Sequence, residues 1–553
     1  MSIRLLIVGG VAGGATAAAR ARRINESAHI ILFERGEYIS FANCGLPYYI
    51  GETIKERDEL LLTTPEAFRA RYNIDVRTHT RVMRIEPEEK RIHVKDLTTG
   101  KLTVETYDKL ILSPGAEPIR PSLPGIDSER IFYLRNIPDM DRIKAYVDER
   151  KPQSAVVVGG GFIGLEMMEN LISRGIRTTV VEMADQVMPP LDVEMAAVVQ
   201  DHLQTKGAVC HLKDGLRSFS HRNNRLVAAT AGGEFECDLA ILSIGVRPET
   251  ELARQAGLAI GASGGIRVND AMQTSDPHIY AVGDAVEVPH LVTGRPSLAP
   301  LAGPANKQGR IAADNAMGRR AVYRGTLGTA IVKVFELTAA VAGVNEKTLT
   351  AEGIPFVASY THSGSNASYY PGSTPMAVKL LFAPGTGRLF GAQIVGFSGV
   401  DKRIDVLATA IRGNMTVYDL EELELAYAPP YSSAKDPVNI AGFVAANILK
   451  GDLEKIDWRE LGEYDPRTEV LMDLRYPSEI EEKGAVEGAV RIPVDRLRSR
   501  LDRLDKTKRY ILFCAVGMRA YVAYRILTQN GFTARIVSGG YSTYSTAKRY
   551  LVK

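Results

Sequence analysis

Two cysteines in this chain sit in local sequence able to do sulfur chemistry. Cys44 stands in Ser40-Phe41-Ala42-Asn43-Cys44-Gly45-Leu46-Pro47-Tyr48-Tyr49. A CxxxxC redox pair needs a second cysteine shortly downstream, and the positions after Cys44 hold Gly, Leu, Pro, Tyr, Tyr and Ile. A lone redox cysteine must cycle through a mixed disulfide with a small thiol, a persulfide or a sulfenic acid. Its neighbours Asn43, Gly45 and Pro47 read as a helix-entry turn, where a thiolate is stabilised. The bland alternative is a buried thiol acting as a small hydrophobe. Cys514 follows the apolar run Tyr510-Ile511-Leu512-Phe513 and opens Cys514-Ala515-Val516-Gly517-Met518-Arg519, ahead of a helix expected from about Ala520 to Gln529. A strand-loop-helix rings such a sulfur with backbone N–H groups that hold a thiolate or the terminal sulfur of a persulfide, and Arg519 adds a positive charge. The remaining cysteines, Cys210 and Cys237, form no CxxC pair and no metal-type spacing, so no metal is expected.

These sulfurs need elements to position them and a source of electrons. Two segments repeat one pattern. The first runs from Ile3: an apolar strand, Gly9-Gly10-Val11-Ala12-Gly13-Gly14, an alanine-rich helix, a second strand Ile30 to Phe33, and Glu34. The second runs from Ala155: Val156-Val157-Val158, Gly159-Gly160-Gly161-Phe162-Ile163-Gly164, a helix, Thr178 to Val181, and Glu182. Glu34 lies 25 residues beyond Gly9, and Glu182 lies 23 beyond Gly159. Glycines let a pyrophosphate approach the backbone at a helix N-terminus, and the acid accepts hydrogen bonds from ribose hydroxyls. Gly159, Gly161 and Gly164 complete a GxGxxG, whereas Val11 replaces the middle glycine of the first turn. Two complete units point to two dinucleotides. A carboxylate at Glu182, with no arginine directly after it, suits a free 2′-hydroxyl, which favours NADH over NADPH.

With 553 residues the chain is too long for one core. A net charge of +3 demands no nucleic-acid partner. The first apolar run enters a glycine turn directly and reads as a buried strand, and no apolar stretch approaches the length of a membrane span. The expectation is a cytoplasmic protein with no membrane partner.

Two further markers are Tyr107 to Ala116, a strand ending in Pro114-Gly115, and Thr274 to Ala285, which ends in Gly283-Asp284-Ala285. With these in place, residues 1 to 445 resemble the two-dinucleotide flavoprotein disulfide reductases of the glutathione-reductase-like superfamily. Ser-Phe-x-Asn-Cys-Gly-Leu-Pro-Tyr, closer still, resembles the coenzyme A disulfide reductases and NADH-dependent persulfide reductases. Val470 to Glu479 with Asp473-x-Arg475, Val486 to Pro493, the Cys514 loop and Gly539-Gly540 resemble the rhodanese domain over roughly residues 460 to 553.

The resemblance implies an α/β chain with two Rossmann-like dinucleotide-binding domains, an α+β dimerisation domain and a C-terminal α/β rhodanese domain. Its expected boundaries are residues 1–118 and 246–326 for FAD, 119–245 for NAD(P)H, 327–447 for dimerisation, 448–464 as linker and 465–553 for rhodanese. It places the dinucleotide contacts on Gly9, Gly10, Ala12, Gly13, Gly14, Glu34, Arg35, Asn43, Gly115, Gly159, Gly161, Phe162, Ile163, Gly164, Glu182, Gly245, Gly283 and Asp284, the last on the flavin's ribityl chain. It makes Cys44 the nucleophile and coenzyme A its thiol partner, held by Thr16, Arg20, Arg23, Ser40, Asn43, Arg71 and Lys435. Arg20 and Arg23 fall three apart on one helix face, and a solvated face is the plain alternative. Tyr427 and either Tyr369 or Tyr370 resemble tyrosines that reach the reactive sulfur from the partner of a homodimer. Cys514 and Arg519 would carry sulfane sulfur.

The expected enzyme is an FAD- and NAD(P)H-dependent reductase of coenzyme A persulfide, polysulfide or related sulfane sulfur, with Cys514 relaying sulfur toward Cys44. Coenzyme A disulfide as main substrate is the alternative. A slow sulfur-delivery or redox-sensing protein is another, and an NADH oxidase or peroxidase a fourth. Peroxidases of this group carry a histidine in the first glycine turn, where this chain has Ala12.

Overall fold

The protein is described from a computed structural model covering residues 3–551. The chain divides into two compact units, Met1–Asp185 with Gly207–Gly328, and Gln186–Lys206 with Thr329–Lys553.

The first unit holds both glycine-turn motifs, each on its own parallel five-stranded sheet. One sheet runs, edge to edge, Ile279–Ala281, Lys109–Leu112, Arg4–Val8, His29–Phe33, Asp75–Arg77. The other runs Val209–His211, Arg177–Val181, Ser154–Val158, Leu239–Leu242, Ile131–Phe132. Their central strands read as unbroken apolar runs because a parallel sheet is covered on both faces: Leu5, Leu6, Ile7 and Val157 have no exposed surface. Each glycine turn feeds a helix, Ala12–Ile24 and Phe162–Ser173. Helix Ala302–Ala316 packs on the first of these. A Cβ on Gly309 would stand 2.3 Å from the Gly13 carbonyl oxygen, so glycine sets that helix spacing.

The second unit is built on an antiparallel sheet ordered Ala330–Val334, Leu337–Gly343, Leu389–Gly396, Pro375–Phe382, Val357–Gly364. Helices Val400–Arg412 and Pro437–Leu449 pack on it, as does Val193–Thr205. A parallel sheet follows, ordered Lys455–Ile456, Thr533–Val537, Arg509–Phe513, Glu469–Asp473, Val490–Arg491. The stretch expected as a linker is therefore structured. Lys455–Ile456 forms an edge strand, and Trp458 is buried. Charge was a poor guide there because Arg459, although exposed, reaches Glu194 and Glu346 at 3.4 Å each.

A polar seam joins the two sheets of this unit. The Tyr360 N–H donates to the Ser538 hydroxyl at 3.3 Å, and His362 Nε2 meets the Thr543 hydroxyl at 2.8 Å. Beside it Lys379, with no exposed surface, pairs with Asp192 at 2.8 Å, Glu346 at 2.8 Å and Glu194. Asp192, Glu194 and Glu346 have the spacing of metal ligands, but the Lys379 ammonium occupies the position a cation would take.

Candidate functional site

The two glycine turns have nearly the same geometry. Gly9 and Gly159 adopt φ of +97° and +104°, and a Cβ on them would strike the carbonyls of Ser113 and Ser243 at 2.0 and 2.4 Å. The last glycine of each turn closes the helix on the strand: a Cβ on Gly14 would lie 1.8 Å from the Gly9 oxygen, and one on Gly164 1.9 Å from that of Gly159. The terminal acids fold back on their turns. The Gly10 and Gly36 N–H groups donate to Glu34, each at 2.8 Å. The Gly160 and Ala184 N–H groups donate to Glu182, each at 2.7 Å. Nothing stands within 4 Å of a Cβ built on Gly161, which leaves room for a close approach by a ligand. Val11 is the N-cap of its helix and makes no side-chain cap bond.

Gly283 turns with φ +82° and donates its N–H to the buried Gln308 at 2.8 Å. That presents Asp284, whose enclosure pushes its carboxyl above the usual carboxylate range. An enclosed carboxylate beside a glycine turn suits a hydroxyl-bearing ligand, and with the free cradle at Gly161 these residues fit two dinucleotides. Gly115 and Gly245 bracket the antiparallel pair Ala116–Pro118 and Val246–Pro248, and Gly245 accepts from the Ile119 N–H at 3.0 Å. Arg35 is held there by Glu249 at 2.5 Å and Glu117 at 3.3 Å, with Arg135 beside them.

Cys44 is exposed, in a three-residue 3-10 turn (Asn43–Gly45) that runs into the short helix Leu46–Ile50. The expected helix-entry turn is present, and other groups act against the thiolate there. The protein mass around the thiol, then Glu166, then Asp284 push its pKa up. A five-residue helix has little dipole to offset two carboxylates. Glu166 accepts from the Tyr48 hydroxyl at 3.2 Å, and burial pushes its carboxyl up to about 7. Sequence reasoning missed both residues. The available signal was Glu166 itself, an acid on the first turns of an otherwise apolar helix.

The residues assigned to coenzyme A are spread over both units. Thr16 donates to Asn306 at 2.5 Å, and Arg20 is committed to Asp314 at 2.7 Å, so it is not the free cation expected. Arg23 is exposed and donates from Nε to the Ala19 carbonyl at 3.0 Å. Ser40 takes φ +46°, an uncommon conformation for serine, and its N–H donates to the Gly10 carbonyl at 2.9 Å. Asn43 and Arg71 are exposed. In the second unit Lys435 is exposed, and Tyr369 and Tyr427 join hydroxyls at 2.9 Å with 75% and 47% of their surfaces open. That bond pairs Tyr369, rather than Tyr370, with Tyr427.

Cys514 is buried, and its sulfur accepts from the Gly517 N–H at 3.1 Å. The Tyr541 and Ser542 N–H groups bond the Cys514 and Ala515 carbonyls, and Gly540, at φ +62°, lets that strand of backbone press against the loop. The helix starts at Met518. Arg519 reaches the sulfur, but it also forms a two-point ion pair with Glu479, both contacts at 2.6 Å. The positive charge expected from Arg519 is therefore already matched. Arg475 is fully buried and paired with Asp473 at 2.6 Å. Cys210 and Cys237 are pushed up to about 12 by burial and are chemically quiet.

Comparison with known proteins agrees with this geometry. Residues 3–305 match the pyridine nucleotide-disulphide oxidoreductase family, 329–437 its dimerisation domain, and 456–547 the rhodanese-like domain. The coenzyme A disulfide reductase of Staphylococcus haemolyticus is 37% identical over 80% of this chain and 100% of its own length. The reduced Bacillus anthracis CoADR-RHD superposes with a TM-score of 0.97 at 50% identity, covering 99% of both chains. A NAD-dependent persulfide reductase from A. fulgidus superposes with a TM-score of 0.92 at 39% identity, covering 98% of this chain and 100% of its own.

Proposed function

Since this chain belongs to the pyridine nucleotide-disulphide oxidoreductase family and carries a rhodanese-like domain, we propose that it reduces sulfane sulfur held as coenzyme A persulfide or polysulfide, with Cys44 as nucleophile and Cys514 as sulfur carrier. The observation that carries the reading is the pairing in one chain of a lone exposed cysteine beside a dinucleotide fold with a second, buried cysteine whose sulfur accepts the Gly517 N–H of its loop.

A flavin on the first glycine turn and a pyridine nucleotide on the second would supply one electron pair per turnover. Glu182, with Met183 and Ala184 after it, favours the unphosphorylated nucleotide. Cys44 as thiolate attacks the inner sulfur of coenzyme A persulfide, releasing hydrosulfide and leaving Cys44 in a mixed disulfide with coenzyme A. The electron pair then restores the thiolate and frees coenzyme A. Glu166 and Asp284 oppose the thiolate while ionised, so protons on either carboxyl favour it. Arg23, Arg71 and Lys435 are the exposed cations available to the phosphates of coenzyme A. Tyr427, from the second subunit of a homodimer, would hydrogen-bond the leaving sulfur, with Tyr369 orienting it.

Coenzyme A disulfide as main substrate is the second reading, favoured by the Staphylococcus relative. NADH oxidation with each substrate separates them. Cys44→Ser should abolish both activities. Cys514→Ala should lower polysulfide-dependent oxidation at least about tenfold, the scale of a lost catalytic group, and leave disulfide-dependent oxidation intact. Equal polysulfide rates in Cys514→Ala and the parent would remove the relay.

A further inference from the structure

Arg519 and Arg475 are each paired with an acid, and the side chains of the Cys514 loop ahead of Arg519 are uncharged. We propose that the Cys514 loop accepts sulfur from organic hydropersulfides and turns away thiosulfate, with Glu479 as the residue that sets this choice. The proposal rests on Cys514 being the sulfur carrier.

Arg519 gives both of its terminal nitrogens to Glu479 at 2.6 Å. Glu479 is held down to about 2 by that bond, so the pair stays ionised and sums to zero across the working pH range. Arg475 is spent on Asp473 in the same way. The Tyr476 ring lies 5.2 Å under the Arg519 guanidinium, and its hydroxyl donates to Asp495, which brings a further acid to the rim. The loop side chains between Cys514 and Arg519 are Ala515, Val516, Gly517 and Met518, none charged. Val516, Met518 and, one turn along the helix, Val522 are exposed at 37%, 62% and 40%.

Thiosulfate brings two negative charges on a small body, and seating its sulfonate needs cations that are not already matched. A hydropersulfide brings at most one charge, on the sulfur that comes to the Gly517 N–H end of the loop, and an organic chain that Val516, Met518 and Val522 can cover. Transfer balances without an outside reductant. The Cys514 thiolate attacks the outer sulfur of R–S–SH, one sulfur–sulfur bond forms as another breaks, and the products are Cys514 hydropersulfide and the thiolate of R.

The test uses the reduced full-length chain, incubated with thiosulfate or with pantetheine hydropersulfide. The alkylated Cys514 peptide is then followed by mass spectrometry for the gain of one sulfur. The parent should load from hydropersulfide at least about tenfold faster than from thiosulfate. Glu479→Gln frees Arg519 and should close that gap by about tenfold, equivalent to roughly 1.4 kcal/mol. Met518→Lys adds an unmatched cation at the rim without touching the ion pair, so it should also speed thiosulfate loading if Glu479→Gln folds poorly. Equal loading of the parent by both donors would overturn the selectivity while leaving Cys514 a carrier. Loading by neither would overturn the carrier reading and this proposal with it. An unchanged donor ratio in both variants would show that charge matching does not set the choice.

Discussion

Burial, Glu166 and Asp284 raise the Cys44 pKa, and the two carboxyls would set the acid–base behaviour of the proposed reductive site. Glu166, with its carboxyl near 7, ionises in the range where the enzyme would work, and once ionised it raises the Cys44 pKa. The rate of iodoacetamide reaction at Cys44 should therefore rise with pH less steeply than a single titration. In Glu166→Gln it should become a single curve whose midpoint falls by several tenths to about one pH unit. An unmoved midpoint would mean that Glu166 does not act on the sulfur. At this scale the sequence was informative about identity and silent about environment. Cys44 and Cys514 stand out through their neighbours in the chain. Glu166, which acts on Cys44, and Glu479, which pairs with Arg519 of the Cys514 loop, lie 122 and 35 residues from those cysteines and come to them only through folding. Arg20 and Arg519 were legible as cations, but their partners Asp314 and Glu479 were not.

Among the elements, the glycine turns were the most readable, because glycine there answers a local steric demand. A Cβ at Gly164 has backbone oxygen 1.9 Å away. Gly164→Ala must push the helix off its strand, so it should cost about 1–3 kcal/mol of stability, the usual cost of overpacking, and weaken pyridine nucleotide binding. Calorimetric titration with NADH would read the second effect, and wild-type affinity would deny the turn its role. Parallel strands were also legible, as unbroken apolar runs. The antiparallel sheet of the second unit was less so, since Lys379 and Gln393 stand buried within it. A buried lysine makes a strand look amphipathic from sequence alone. Its pKa is raised by Glu194, Asp192 and Glu346 against the effect of burial, so it stays charged. Lys379→Met takes the buried cation from the buried Asp192 and Glu194 and the half-buried Glu346, leaving only Arg459 at 3.4 Å from the two glutamates, and should destabilise the chain by about 3–5 kcal/mol. Thermal unfolding of the full-length protein measures it, and a melting temperature equal to the parent's would show the acids discharge by taking up protons.

For the molecule as a whole, the seam between the antiparallel sheet and the rhodanese-like domain predicts acid sensitivity. Burial lowers His362 to about 4, so it folds neutral. Unfolded, it takes up a proton near pH 6.5. The stability this contributes is fully present above about pH 6.5 and is lost as pH falls toward 4, by at most about 3.4 kcal/mol. Denaturant midpoints between pH 7 and 5 should fall less in His362→Gln than in the parent, and equal slopes would acquit this residue. The domain order was legible in the sequence, whereas this seam was not, because Tyr360, His362, Ser538 and Thr543 carry no shared motif.

That seam changes what kind of fusion this is. A carrier on a loose tether could be exchanged for any other with the same catalytic loop. Here Ser538 and Thr543, which seat the domain on its neighbour, follow directly on the last strand of the carrier sheet and precede or open the helix that braces the Cys514 loop. The graft and the proposed sulfur site thus share one stretch of backbone. A foreign carrier spliced in at this point would have to bring its own hydroxyls at these two seats and its own arginine for Glu194 and Glu346. A transplant matched only in its active loop would bind sulfur and still fail to take.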